Sequence, residues 1–447
     1  MRRAFLYLAL LAAAPAAAQV SAPSTAQAVA PAAEQAAPAA SPALRSRVQE
    51  IVAILNGGGN YATTFSPAFR AQVPAEKFDT IIKQLTGVGG KVIGVESIAP
   101  TRPDAATVRL TYERGTATLR VAVDSAEPHH VIGLLFNGIE GREASLDAVV
   151  TTLAGLPGTT AFAAAKLGTG GPSLVTAHNA DRALAIGSEF KLVILATLVR
   201  EIDDGKRHWT DTVTLDGTPR PAGTYMFQPR GTKVTLRALA DKMISISDNS
   251  ATDILLEELG REKVEAMMPV VGIADPARVR PFLSTAEVFK LKGVPGLAER
   301  YLALDEDGRR AMLAGEVAST PLTAIPATLF ADGKPVRIEQ LEWFLSPADV
   351  VRTLDWLRRH SETGPAAEAR AVLSINPALP PASAAAWRYV GYKGGSEPGV
   401  MAMSWLLQAK DGGWYAVSGT WNNPQAGVDE AQFLSLMTRA AALAGQH

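Results

Sequence analysis

The spacing of apolar residues along the chain switches between a helical and a strand period, and these switches predict where the helices and strands lie. Between residues 44 and 140 the pattern predicts two helices followed by four strands. The helices cover residues 44–55 and 75–85, and the strands cover residues 91–98, 106–112, 116–123 and 130–136. This order of elements predicts a small α+β domain with a curved antiparallel sheet.

A second domain is predicted from residue 145 to residue 447. Its strands lie at both ends with helices between them, which indicates one antiparallel sheet closed by both ends of the domain. A nearly continuous apolar run over residues 190–199 predicts a helix that begins near Ser188. The other predicted helices cover residues 146–153, 236–245, 251–259, 347–360 and 429–444, and the strands cover residues 160–165, 174–179, 387–392, 401–408 and 415–421.

The N-terminus has the features of an export signal. Two arginines, an apolar stretch over residues 4–14 and three small alanines predict a signal peptide over residues 1–18. Residues 19–43 are rich in alanine and proline and predict a flexible linker. We therefore expect a periplasmic or secreted protein, and no apolar stretch is long enough to predict a membrane span.

Composition excludes several kinds of chemistry. The chain has no cysteine, which excludes disulfides, thiol catalysis and a cysteine-linked lipid anchor. A formal net charge of -1 without a basic stripe argues against nucleic acid as a partner. Neither a Gly-x-Ser-x-Gly nor a His-Glu-x-x-His motif occurs, and the adjacent His129 and His130 are predicted to point to opposite faces of a strand. We expect no metal and no cofactor.

Ser188 and Lys191 form the first of three motifs that carry chemistry. At helical spacing they share a face, and the lysine lies in the first turn, where the helix dipole disfavours its ammonium form. The apolar neighbours of Lys191 also reduce its hydration. A neutral amine beside a hydroxyl is what a nucleophilic serine needs. Alternatively, Ser188 is only the N-cap of the helix.

The second motif is Ser247-Asp248-Asn249, between two predicted helices. In the functional interpretation, Ser247 relays a proton to the leaving group and Asn249 orients the lysine and the substrate amide. In the alternative, the three residues only form a turn or a helix start.

The third motif is Lys393-Gly394-Gly395-Ser396, after an aromatic-rich strand. Lys393 would supply positive charge for a substrate carboxylate, and Gly395 would let a ligand lie against the strand edge. The backbone N–H of Ser396, together with that of Ser188, would form an oxyanion hole. Alternatively, the motif is a glycine turn with a surface lysine.

The three motifs occur in this order within one predicted domain. In this combination of motifs the domain resembles the serine β-lactamase and penicillin-binding-protein superfamily, most closely class A. The interval of 59 residues from Ser188 to Ser247 also suits class A. The resemblance implies an α+β fold with a β-lactamase/transpeptidase-like domain, in which helices flank an antiparallel sheet. The preceding small domain resembles the nuclear-transport-factor-2-like superfamily in element order alone.

By this resemblance, Ser188 is the acylated nucleophile, Lys191 a base and Ser247 the proton shuttle. Asn249, Lys393, Gly395 and Ser396 bind the substrate. The substrate would be a small molecule, a β-lactam or a peptidoglycan-like compound, and the protein a monomer.

The chain departs from the family pattern in three places. Gly394 replaces the hydroxyl residue usual in the third motif, and the interval from Ser247 to Lys393 is long, with an insertion predicted near residues 301–343. The family's Glu-x-x-Leu-Asn segment, whose glutamate activates water for deacylation, is absent. Glu287 is a candidate substitute, although Ser284 and Glu287 also have the spacing of a helix capping box.

Three functions are therefore open. The first is an exported class A β-lactamase-like serine hydrolase that opens a β-lactam or a related amide or ester. The second is a penicillin-binding-protein-like or esterase-like enzyme of the same fold that deacylates slowly. The third is a noncatalytic binding or sensor module.

Overall fold

The computed structural model describes residues 39–446. The described chain divides into two compact units, one ending at Arg142 and the other beginning at Glu143. The predicted signal peptide and most of the predicted linker lie outside the described residues.

The first unit consists of four helices followed by one four-stranded sheet. Its elements are α1 (Pro42–Leu55), α2 (Tyr61–Thr64), α3 (Pro67–Gln72), α4 (Ala75–Gly89), β1 (Val92–Arg102), β2 (Ala105–Tyr112), β3 (Thr116–Val123) and β4 (Val131–Glu140). The strands pair in chain order and are all antiparallel. The two longer helices and the antiparallel sheet confirm the predicted small α+β domain.

Local sequence explains how the first unit begins. Ser41 caps α1 by accepting a hydrogen bond from the Leu44 backbone N–H at 3.1 Å, so the helix starts two residues before the predicted one. The short helices α2 and α3 were not predicted, because each is too brief to show a helical period. Phe65 follows α2 and packs on Phe69 and Phe78 in the core.

The second unit has more elements. Its strands are β5 (Thr159–Gly168), β6 (Gly171–His178), β7 (Leu184–Ala185), β8 (Thr212–Thr214), β9 (Lys233–Thr235), β10 (Phe344–Leu345), β11 (Tyr389–Glu397), β12 (Val400–Gln408) and β13 (Trp414–Asn422). Its helices are α5 (Leu146–Ala154), α6 (Lys191–Asp203), α7 (Leu236–Ser245), α8 (Asn249–Leu259), α9 (Arg261–Val270), α10 (Thr285–Gly293), α11 (Leu297–Leu302), α12 (Glu306–Met312), α13 (Pro347–His360), α14 (Glu368–Ser374), α15 (Pro381–Ala385) and α16 (Glu430–Leu443). Short 3-10 turns cover Gly187–Phe190, Pro276–Val279, Leu322–Ala324, Pro365–Ala367 and Ala444–Gln446, and a π turn covers Leu313–Val317.

The main sheet has the strand order β11-β12-β13-β5-β6, and every neighbouring pair is antiparallel. Strands from the start and the end of the unit therefore meet in the middle, where β13 pairs with β5. This arrangement confirms the predicted sheet closed by both ends of the domain, with α+β architecture.

Helices cover both faces of this sheet. On one face, α5 and α16 pack with aromatic residues of the strands, among them Trp405 and Trp421. On the other face, α6 and α13 belong to the largest apolar core. All residues from Lys191 to Val199 are buried, which explains why the run has no polar face.

The structure corrects one predicted feature of the second unit and adds detail to another. The strand predicted to end at residue 392 continues to Glu397, so the third motif lies inside β11 rather than in a turn. The predicted insertion consists largely of short helices and turns between α11 and β10. Within residues 39–446, no helix combines the length and the apolar character needed to cross a bilayer.

Candidate active site

Ser188 lies in the 3-10 turn directly before α6 and is half-buried. Phe190 occupies the N-cap position of α6 and makes no side-chain cap bond, so the alternative in which Ser188 caps the helix is wrong. Gly187 has a φ of 51°, in the left-handed region that glycine adopts without strain. The turn therefore presents Ser188 at the buried end of α6 without using its hydroxyl as a cap.

Lys191 is fully buried at the start of α6, and its ammonium nitrogen points at the second motif. Nζ lies 2.7 Å from the Ser247 carbonyl oxygen, 3.1 Å from Ser247 Oγ and 2.7 Å from Asn249 Oδ1. The structure thus brings Lys191, Ser247 and Asn249 into one cluster, as the sequence predicts. Among the described residues, no hydrogen bond joins Lys191 to Ser188 itself.

The environment of Lys191 favours its neutral form. Burial holds its pKa well below the usual value, and the nearby Lys393 lowers the pKa further, against the opposing charges of Asp253 and Asp248. A neutral amine has two N–H donors and one lone pair. The three oxygens around Nζ suit this form. Ser247 Oγ would donate its proton to the lone pair, and the Ser247 carbonyl oxygen and Asn249 Oδ1 would accept the two N–H groups.

Ser247 is held in a sparsely populated backbone conformation between α7 and α8. Its φ is 57°, which is uncommon for a residue with a side chain and is found where surrounding structure enforces it. The next residue, Asp248, caps α8 by accepting from the Ala251 N–H at 2.9 Å. The motif is therefore a helix start, as the alternative holds, and also places a hydroxyl between two lysines.

Lys393 approaches the same hydroxyl from β11. Its Nζ lies 3.0 Å from Ser247 Oγ and also donates to the Gly394 carbonyl oxygen. The side chain is buried, and burial lowers the pKa of Lys393 to about 7, opposed by the charge of Glu189. The alternative in which Lys393 is a surface lysine in a turn is wrong.

The backbone of β11 passes very close to the turn that carries Ser188. A methyl group on Gly395 would lie 2.1 Å from the Ile186 carbonyl oxygen and 2.4 Å from Ser188 N, and one on Gly187 would lie 2.9 Å from Ser396 N. Only glycine allows this approach. It brings the backbones at Ser188 and Ser396 close together, as the predicted oxyanion hole requires.

The space at Gly394 is taken by Tyr392. A side chain at position 394 would begin 2.1 Å from the Tyr392 hydroxyl oxygen. In this structure the tip of the Tyr392 side chain therefore fills the space that a side chain at position 394 would need, which the sequence did not indicate.

Glu287 is engaged away from this cluster. Its Oε2 accepts from the Ser284 backbone N–H at 2.7 Å, in a complete capping box with the Ser284 hydroxyl, and its Oε1 accepts from Arg261 at 2.6 Å. The capping-box interpretation is confirmed. The described structure does not bring Glu287 into hydrogen-bond contact with Ser188, Lys191 or Ser247.

Sequence reasoning missed a buried ion cluster next to the third motif. Lys292, from α10, lies 2.8 Å from Glu342 and 2.5 Å from Glu397, and the three side chains are 0%, 2% and 9% exposed. Burial, with the charge of Glu342, raises the pKa of Glu397 well above its usual value. Glu397 follows Ser396 directly, so the cluster fixes the end of β11 to the insertion. In the described residues, no group of three or more histidine, aspartate or glutamate side chains is placed to hold a metal ion.

The five-stranded antiparallel sheet, the helices on its faces and the meeting of three serine-enzyme motifs define a serine β-lactamase/transpeptidase-like fold. Residues 142–372, just over half of the chain, match the model of the Beta-lactamase enzyme family. The chain belongs to this family. The comparison with curated proteins gives no match.

Several solved structures are similar at low identity. A β-lactamase from Sphaerobacter thermophilus DSM 20745 is 20% identical, with 68% of this chain and 97% of that chain covered and a TM-score of 0.46. A putative class A β-lactamase, PenP, from Rhodopseudomonas palustris is 18% identical over 68% of this chain and 99% of that chain, with a TM-score of 0.45. PBP-A is 16% identical over 67% of this chain and 94% of that chain, with a TM-score of 0.45.

Proposed function

We propose that this protein is a serine hydrolase that forms an acyl-enzyme on Ser188 with a β-lactam or a related amide or ester. The observation that carries the proposal is the hydroxyl of Ser247, held within 3.1 Å of Lys191 Nζ and 3.0 Å of Lys393 Nζ. Two buried amines around one hydroxyl form a path for a proton between the nucleophile and the leaving group.

In the proposed acylation, neutral Lys191 takes the proton of the Ser188 hydroxyl as its oxygen attacks the substrate carbonyl carbon. The backbone N–H groups of Ser188 and Ser396 stabilise the negative charge on the carbonyl oxygen. Ser247 then gives its proton to the leaving nitrogen or oxygen, and recovers one from protonated Lys191. Lys393 binds a substrate carboxylate.

Asn249 has a second part in this scheme. Its Oδ1 already holds Lys191, and its amide nitrogen remains to orient the amide of a substrate.

Two features support slow deacylation over rapid turnover. The segment 280–284 reads Arg-Pro-Phe-Leu-Ser. Alignment of Leu283 with the leucine of the family's Glu-x-x-Leu-Asn segment would put Arg280 in the place of the glutamate. A guanidinium cannot act as a general base. The nearby Glu287 is occupied by its capping box and by Arg261. The protein is then a penicillin-binding-protein-like or esterase-like acyl-enzyme.

A noncatalytic binding module is the alternative of another class. Burying Lys191 without a carboxylate in direct contact is costly, and a binding pocket has no need of it. The cost is explained if the amine acts as a base.

We infer export through the N-terminal signal, action as a monomer in the periplasm or outside the cell, and an accessory role for the first unit.

Intact-protein mass spectrometry tests the proposal. The protein is mixed with a penicillin and the mass is followed over time, beside the variant Ser188→Ala. A mass increase that requires Ser188 and persists supports the slowly deacylating enzyme. An increase that requires Ser188 and clears as the drug is consumed identifies a β-lactamase.

The absence of both an adduct and substrate consumption would count against the proposal. If neither penicillins nor activated esters give an adduct on Ser188 and neither is consumed, the acyl-enzyme proposal is wrong, and ligand binding without chemistry becomes the preferred function.

A further inference from the structure

A buried acid lies between the two residues of the first motif, and the proposed mechanism does not use it. Glu189 follows Ser188 in the chain and is 0% exposed. Neither of its carboxyl oxygens has a hydrogen bond of normal geometry, although the Ser404 hydroxyl is near enough to favour the ionised form. Buried carboxyl groups without such bonds are rare in proteins, because removing them from water is costly.

The register of the main sheet shows how Ser404 and Lys393, the two groups that favour the charged form of Glu189, are arranged. Lys393 lies directly opposite Ser404, and Ser404 lies directly opposite Ser418. Residues opposite each other on antiparallel strands point to the same face. The hydroxyl of Ser404 donates to that of Ser418 at 2.9 Å, and both serines are 0% exposed. A polar row therefore crosses the buried face of three strands and ends at Lys393.

Glu189 is the acid that acts on Lys393. Of the described residues, it is the only carboxylate whose charge raises the pKa of this lysine. Burial raises the pKa of Glu189 itself to about 8, whereas Ser404 and Lys393 favour its charged form. The two groups thus share one buried region in which the charge of each depends on the other.

The other charged groups around this pair have partners of their own. Lys191, on α6, bonds to Ser247 and Asn249. Asp248 caps α8, and Asp253 accepts from the backbone and hydroxyl of Thr285. On β11, Glu397 is paired with Lys292.

We propose that Glu189 is a positioning residue for carboxylate recognition: acting through Lys393, it maintains the positive charge that the site presents to an anionic substrate. This inference rests on the proposed function, in which Lys393 receives a substrate carboxylate. An ammonium donor binds a carboxylate through a charge-assisted hydrogen bond, about twice as strong as a neutral one. Without the acid, Lys393 loses its proton at a lower pH, and recognition of the anion is lost with it.

The first test measures Lys393 directly and needs no substrate. The lysine ε-carbons are isotope-labelled and titrated by NMR, with the Lys393→Met variant used to assign the signal. In Glu189→Gln, the Lys393 signal should titrate at lower pH than in the wild type. The matched control is Glu201→Gln, a buried glutamate at the far end of α6 that pairs with Lys263, and it should leave the titration in place.

The second test connects the charge to substrate choice. Acylation rates are measured for a penicillin with a free carboxylate and for its carboxylate methyl ester, across the pH range. The wild type should prefer the free acid below the pKa of Lys393 and lose that preference as pH rises. Glu189→Gln should lose the preference at lower pH. At a fixed pH above the pKa of Lys393, the ratio of the acid rate to the ester rate should fall about tenfold for each unit by which that pKa is lowered. Glu201→Gln should follow the wild type.

A second variant protects the test against misfolding. Glutamine has the shape of glutamate and is neutral, but if Glu189→Gln fails to fold, Ser404→Ala serves instead. Removing the Ser404 hydroxyl weakens the charged form of Glu189, so this variant should shift the Lys393 titration in the same direction.

The two failures are distinguishable. An unchanged Lys393 titration in both variants overturns the role of Glu189 whatever the substrate. If the titration shifts as expected but no substrate acylates Ser188, the role of Glu189 stands as an electrostatic one and the proposed function is wrong. Equal loss of rate for acid and ester at every pH would mean that Glu189 is only structural.

Discussion

Lys191 and Lys393 hydrogen-bond to the same hydroxyl group, that of Ser247, at 3.1 and 3.0 Å. Two buried ammonium groups at this separation from one oxygen repel each other, so that one of them gives up its proton more readily. The charge of Lys393 lowers the pKa of Lys191 beyond the effect of burial, against the opposing charges of Asp253 and Asp248, whereas Lys393 has the buried Glu189 as a counter-charge. This difference supports the proposed roles, Lys191 as the base and Lys393 as the cation.

Replacement of Lys191 tests this assignment. We expect Lys191→Met, which keeps the length and removes the amine, to slow acylation of Ser188 by about 10²–10⁴-fold, since that is the usual contribution of a general base. In the wild type, acylation should fall as pH drops through the pKa of Lys191, because the neutral amine exists above that pKa. The rate of adduct formation, followed by mass spectrometry, measures both effects.

The control for this variant is Lys242→Met. Lys242 is exposed on α7, the helix that leads to Ser247, and its loss should leave acylation at the wild-type rate. Comparable acylation by Lys191→Met and the control would show that another group activates Ser188.

The contact between β11 and the Ser188 turn leads to a second prediction. Gly395→Ala places a methyl group 2.1 Å from the Ile186 carbonyl oxygen and 2.4 Å from Ser188 N, so the two backbones must separate. If the Ser188 and Ser396 N–H groups form the oxyanion hole, acylation should slow by about 10²–10³-fold. Stopped-flow acylation with a chromogenic substrate measures the loss, and Gly170→Ala, where the space is open, is the control. A wild-type rate in Gly395→Ala would exclude this pair of donors.

Much of the fold could be predicted because the strands and long helices show clear periods. The run over residues 190–199 indicated α6, and strands at both ends of the second unit indicated a closed sheet. The meeting of the three motifs could be predicted because each lies at a defined place in that fold. Ser188 and Lys191 lie at the start of α6, Ser247 and Asn249 lie where α7 leads into α8, and Lys393 lies on β11.

Other features depend on contacts between residues far apart in the chain, which no local pattern indicates. Lys292 and Glu397 are separated by 105 positions and become partners only when α10 packs near the end of β11. The obstruction of Gly394 by Tyr392 follows from the course of the strand and not from its composition. The third motif looked like a turn because glycines are common in turns, but β11 needs them for close approach to the Ser188 turn.

The buried ion cluster leads to a third prediction, on stability. Lys292→Met leaves Glu342 and Glu397 buried without a cation, and breaking such a cluster costs about 3–5 kcal/mol of unfolding free energy. The pKa of Glu397 is raised, so its protonated form is favoured in the folded state and its contribution to stability is lost as pH rises. The loss in Lys292→Met should therefore be larger at high pH than at low pH.

Urea unfolding at several pH values measures this dependence. The exposed Lys334→Met is the control and should change little, since its ion pair with Asp332 lies in solvent. A loss that does not vary with pH would mean that neither carboxyl group changes its protonation state over the range tested.

The last prediction concerns Glu287, the candidate for the water-activating glutamate. Glutamine also completes a capping box, so Glu287→Gln should keep the start of α10 and lose only the charge that pairs with Arg261. If the carboxylate takes no part in deacylation, the lifetime of the penicillin adduct should equal that of the wild type. A general base at this position would instead make the adduct about 10²–10⁴-fold longer-lived in the variant.

Arg280→Glu is the matched comparison for Glu287→Gln, because it places a carboxylate where the proposed alignment puts the glutamate of the family's segment. We expect this variant to shorten the adduct lifetime. A long-lived adduct in Glu287→Gln, with no change in Arg280→Glu, would identify Glu287 as the base and make the protein a β-lactamase with a displaced glutamate.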